Sequence, residues 1–117
     1  MNAAEVFEVK SYMVIFRQEE IREFDGTSVT IRTMVRCTGD EYTMDVIFYA
    51  PGSPYPAPVI DLDNKKGYMF MPMSDLPAFV DILRNEKPVY AHLRSDRREW
   101  TSITTTQEPV GEGEGKA

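Results

Sequence analysis

The chain carries one cysteine, Cys37, and one histidine, His92, in 117 residues. A lone cysteine excludes an intrachain disulfide and suits a reducing compartment, so a cytoplasmic location is expected. One Cys and one His cannot assemble a zinc site within the chain. No apolar run approaches the ~20 residues of a membrane span. Met1-Asn2-Ala3-Ala4-Glu5 lacks the basic-then-apolar order of a secretory signal. The phosphate-cradling patterns Gly-x-x-x-x-Gly-Lys and Gly-x-Gly-x-x-Gly are missing, as is the Gly-x-Ser-x-Gly of a nucleophile elbow. Asp61, Asp63 and Asn64 begin like a calcium loop, but Lys65 and Lys66 stand where an oxygen ligand and a glycine are required. Cys37 closes the apolar face of a strand, the setting of a small buried hydrophobe rather than a nucleophile. These absences predict a chain with no metal, no cofactor, no catalysis and no membrane association.

An excess of positive charge is also missing. Net charge is -6, which argues against binding phosphate through bulk charge. The acid sits mostly at the ends. Residues 27–107 hold nine Lys/Arg against ten Asp/Glu, a balance of -1, whereas residues 1–26 and 108–117 together hold four against nine, a balance of -5. A local basic face therefore remains compatible with the composition.

What is present is a succession of short periodic segments. Residues 6–16 are apolar and β-branched, ending in the unbroken run Tyr12-Met13-Val14-Ile15-Phe16. They predict a long strand, buried on both faces near its end. The charged residues 17–24 fit either a continuation of that strand or one helical turn, and Asp25-Gly26 is a turn signal. From Val29 the chain alternates, with Val29, Ile31, Thr33, Val35 and Cys37 on one face and Arg32 and Arg36 on the other. A turn containing Gly39 leads into a partner strand over residues 42–49, which makes a hairpin.

Four prolines in residues 51–58 require an extended surface connection, and Pro54-Tyr55-Pro56 is a candidate partner loop. Short strands are expected at 59–62 and 68–71. Ser74 is the expected N-cap of a helix over 75–85. That helix has Pro77 in its first turn and Leu76, Phe79, Val80 and Leu83 on one face. Two more strands, 89–94 and 100–106, flank a polar loop.

The expected fold is α+β: a twisted antiparallel sheet of five to seven strands, strongly twisted or partly closed, packed against the helix near 75–85. Residues 1–110 form one domain, and 111–117 form an acidic tail that is disordered in isolation. The expected core is Val14, Phe16, Val29, Ile31, Val35, Val46, Phe48, Phe70, Leu76, Phe79, Val80 and Leu83.

One constellation points to binding. Tyr90, His92 and Arg94 project to one side of a strand, Arg97 and Arg98 follow in the loop, and Trp100 comes next. If the sheet brings Arg32 and Arg36 alongside, guanidinium groups and aromatic rings line one surface, the arrangement that single-strand nucleic-acid binders use for base stacking. The order helix, strand, basic turn, strand is similar to an OB-fold, with Val89-Tyr90-Ala91-His92-Leu93-Arg94 and Trp100-Thr101 as its closing strands. Several strands followed by one amphipathic helix also resemble the small sheet-and-helix single-strand binders of the Pur-alpha type. Two functions follow as expectations: a non-catalytic protein-interaction or regulatory module, or a single-stranded nucleic-acid-binding protein. Unpaired edges on the long first strand and the last hairpin also favour a homodimer.

Overall fold

The structure, a computed structural model, describes residues 4–106; the tail expected at 111–117 lies outside them. The architecture is α+β, built from two open sheets and one helix. Strands β1 (Ala4–Glu8), β7 (Val89–Arg94) and β8 (Ser102–Thr105) form a three-stranded antiparallel sheet in the order β1-β7-β8. Strands β2 (Ser11–Phe24), β3 (Thr27–Thr38), β4 (Thr43–Tyr49), β5 (Val59–Asp61) and β6 (Lys66–Pro72) form a second sheet in the order β2-β3-β4-β6-β5. Its β4–β6 pair is parallel, so this sheet is mixed. Neither sheet closes, unlike the barrel that an OB-fold resemblance implies. Among the described residues, no helix is long and apolar enough to cross a membrane.

The expected first strand is two strands. Its break at Val9 and Lys10 sends β1 to one sheet and β2 to the other. Val9 N–H donates to the Val89 carbonyl and Lys10 N–H to the Thr38 carbonyl, both at 2.8 Å. Gly39 permits this crossing, because a Cβ there would lie 2.5 Å from the Phe7 ring and 2.8 Å from the Glu8 carbonyl oxygen. Residues 17–24 are strand, part of β2. Asp25 (φ 51°) and Gly26 (φ 85°) make the tight turn into β3, using the left-handed backbone that Asp-Gly tolerates.

The alternation read across β3 is interrupted. Ile31 faces Tyr49 and Thr33 faces Phe48 on the neighbouring β4, so Arg32 is an extra residue in a bulge. The bulge inverts the pattern. Val35 and Cys37 face a first core with Val46, Phe48, Leu76, Phe79, Leu83, Val89, Ala91 and Leu93. Val29 and Ile31 face a second core with Phe24, Met34 and Ile47 on the other side of the sheet. Phe24, at the end of edge strand β2, comes within 5.1 Å of the Tyr68 and Phe70 rings on β6. The five-stranded sheet is therefore curled, bringing strands from its two flanks together.

Helix α1 (Leu76–Asn85) matches the expected span and buries Leu76, Phe79 and Leu83. Ser74 is not its N-cap: it lies in a preceding 3-10 turn, Met73–Asp75, and the helix starts from Asp75 without a side-chain cap. Phe16, expected in the core, is 71% exposed, and Met13 is also exposed. An apolar run on an edge strand has a sheet neighbour on one flank only, so it need not be buried.

Candidate interaction face

The three-stranded sheet packs its inner side, Val89, Ala91 and Leu93, into the first core. The alternation of β7 therefore turns Tyr90, His92 and Arg94 outward. Register places their neighbours. His92 lies between Val6 of β1 and Ser102 of β8, and Tyr90 lies between Glu8 and Thr104. His92 Nε2 and the Thr104 hydroxyl are 2.7 Å apart, so the imidazole is held by a hydrogen bond across the strands.

Beyond Arg94 the chain makes a tight, self-paired loop. Asp96 accepts from Arg94 Nε (3.0 Å) and Nη2 (2.9 Å) and from the Arg97 backbone N–H (2.9 Å). The Arg94 guanidinium, followed by its charge, holds the Asp96 carboxyl at about 2, below the ordinary 3.8. Arg98–Trp100 form a 3-10 turn, so Trp100 ends a turn and does not open a strand. This turn places the indole with its centroid 5.0 Å from both the Arg94 and the Arg97 guanidinium carbons, while 53% of Trp100 stays exposed. Arg97 pairs with Glu99 at 3.9 Å, and Arg98 reaches Asp25 in the β2–β3 turn at 3.2 Å. The positive charges of this loop are each matched by a carboxylate.

The proline segment lies on the same side of the molecule. Tyr55 stacks on Tyr49 with centroids 4.5 Å apart and planes 11° from parallel. Ser53 anchors the loop: its hydroxyl oxygen accepts from Thr30 N–H and its O–H donates to the Pro54 carbonyl, both at 2.9 Å. A cleft of about 480 Å³ opens between the two segments. Tyr55, Pro56, Pro58 and Phe70 line it on one side, and Asp96, Arg98 and Glu99 on the other. Thus Tyr55 and Pro56 of the expected partner loop and Arg98 of the expected basic cluster border one cleft; Pro54 is exposed beside it.

Arg32 and Arg36 do not join this surface. Both belong to β3 of the five-stranded sheet. Arg32 is exposed at the bulge, while Arg36 donates Nε and Nη2 to Asp45 at 2.8 and 3.0 Å. Asp45 is fully buried and also lies 3.3 Å from Lys66 Nζ. Cys37 and His92 are likewise apart: the thiol faces the first core, where burial pushes it up to about 12, and the imidazole faces outward from the other sheet.

Sequence reasoning did not identify Val6, which is 53% exposed beside His92, or the carboxylates of Asp96 and Glu99 as partners of the arginines. The spacing Arg94-x-Asp96 in a polar loop carried the second signal. The first depended on knowing that β1 pairs with β7. No protein family, curated protein or solved structure matches the chain.

Proposed function

We propose that the chain is a non-catalytic protein-interaction module that presents the outer face of its small sheet and the adjoining proline-lined cleft to a protein partner. The observation that carries this reading is the half-exposed Trp100 beside two guanidinium groups that carboxylates already neutralise. Trp, Tyr and Arg are the residues that anchor protein interfaces, and an interface core favours large aromatic area with little uncompensated charge. Neutralised arginines also have few counterions to release, which weakens the driving force that dominates binding to a phosphate backbone.

The test is photocrosslinking in the native cell, with a benzophenone amino acid at Glu99 and a control at Asp81 on the exposed side of α1. A discrete protein adduct from position 99 that disappears with Trp100→Ala supports the reading. An adduct pattern equal to that of position 81 overturns it.

A second reading, a single-stranded nucleic-acid binder, keeps one supporting observation: an exposed indole flanked by two guanidinium groups also suits base stacking. Fluorescence anisotropy with a labelled oligonucleotide decides it. Binding that weakens with salt and is lost in Arg94→Ala and Trp100→Ala puts this reading first, and no binding at low salt removes it.

A further inference from the structure

Strand β2 is the outer edge of the five-stranded sheet, and the two most exposed large apolar side chains of the described residues, Phe16 and Ile21, are both on it, each 71% exposed. Edge strands are normally blunted by charge or bulges. Here both devices are present, in residues 17–20, yet they lie between two exposed hydrophobes.

The register explains how those hydrophobes relate. Phe16 faces Thr33 and Glu20 faces Ile31, so β2 advances four residues while β3 advances two. Glu20, Arg22 and Phe24 then lie on the side of Ile31 and Val29, which is the second core. Ile21 lies on the opposite side. Phe16, opposite Thr33 and hence aligned with Phe48 of the first core, lies on that same opposite side. In an uninterrupted strand, residues five apart point to opposite faces. The irregularity puts Phe16 and Ile21 on one face.

We infer that β2 pairs with β2 of a second copy, antiparallel, about a two-fold axis passing between Gln18 and Glu19. In this register Phe16 meets Ile21 of the partner, Arg17 meets Glu20, and Ile15 meets Arg22, each contact occurring twice by symmetry. A two-fold axis between adjacent residues of a regular strand would oppose side chains from different faces. The inverted parity of β2 cancels that mismatch. Neighbouring registers lack this complementarity: a shift one way sets Glu19 against itself, and a shift the other way sets Phe16 against Glu20. The charge sequence of β2 thus selects one self-pairing, and Glu20, already bonded to Arg17 and Arg22 within its own chain, lies at its charged centre. The edge shares no residue with the proposed interaction face, so this inference is tested independently of that reading.

Sedimentation of the full chain over a wide concentration range tests the association. A monomer–dimer equilibrium with Kd of about 10–100 µM is expected for so small an interface. Phe16→Glu weakens it at least about tenfold, while the melting temperature measured well below the Kd stays unchanged because Phe16 is exposed in the monomer. Cysteine pairing tests the register. Gln18→Cys mixed with Glu19→Cys forms the mixed disulfide faster than either variant forms its own, and buried Cys37 does not compete. A chain that remains monomeric at the highest concentration overturns the inference, as does a dimer unaffected by Phe16→Glu. Self-disulfides that outpace the mixed one overturn the register.

Discussion

Replacing Phe79 by alanine tests the joint between the helix and the first core. Phe79 is the central buried residue of α1, 5% exposed, with its ring 5.6 Å from Phe48 of β4. Losing the ring forfeits the transfer free energy of a buried aromatic, roughly 1.5–3 kcal/mol. The aromatic pair adds about 0.5–1.5 kcal/mol. Strands on one side and the helix backbone on the other limit collapse of the site, so a cavity remains and the total reaches about 3–5 kcal/mol. For a domain of this size, that corresponds to a fall in melting temperature of roughly 15–20 °C. Thermal and urea unfolding followed by far-UV circular dichroism measure it, with Ile82→Ala as the control. Ile82 lies on the exposed side of the same helix and should change stability by no more than ~0.5 kcal/mol. A loss below about 1 kcal/mol for Phe79→Ala, or an equal loss for Ile82→Ala, would refute the helix register and the first core with it.

Three further outcomes follow from the packing and the charges. Gly67→Val should destabilise by about 1–3 kcal/mol, because even a Cβ there would lie 2.5 Å from Leu93 Cδ2 where the two sheets approach; a lower urea midpoint checks this, and Leu93→Ala in the same chain should recover part of it. Asp45→Asn should cost about 1–3 kcal/mol, less than a fully buried pair because Arg36 and Lys66 reach solvent; denaturant unfolding near neutral pH reads it. The Asp96 carboxyl, with its folded pKa depressed from 3.8 to about 2, keeps its pair with Arg94 above the ordinary value and loses it as pH falls through about 2; a carboxyl carbon titration by NMR with a midpoint near 4 would contradict the pairing.

The parts legible in the sequence are those whose physics is local. The helix announces itself through Pro77, the spacing of Leu76, Phe79 and Leu83, and Pro88. The turn at Asp25-Gly26 follows from the backbone those residues tolerate, and β7 shows its faces by alternation. What stayed hidden depends on partners distant in sequence. Nothing local says that β4 pairs with β6 in parallel or that the chain changes sheets at Val9. The bulge at Arg32 is invisible because the residues after it keep alternating in type, so Thr33 stands where a smooth strand would also put a small side chain. The apolar neighbours of Phe16 point it to the core, whereas its exposure is set by sheet order. On the candidate face, the aromatic and basic residues were readable, but their carboxylate partners turn a basic patch into a near-neutral one.

The change of sheet at Val9 has a consequence for the order in which the molecule can be completed on the ribosome. Every strand of the five-stranded sheet has been synthesised once residue 72 emerges. Strand β1, made before all of these, must wait for its neighbour β7, which spans Val89–Arg94. Among the described strands, the one made first thus waits longest for its hydrogen-bonding neighbour, and the long sequence separation of that pairing makes its closure a slow, non-local step. Until then β1 is an open strand beside a largely finished sheet, the stage of biogenesis most exposed to pairing with another chain.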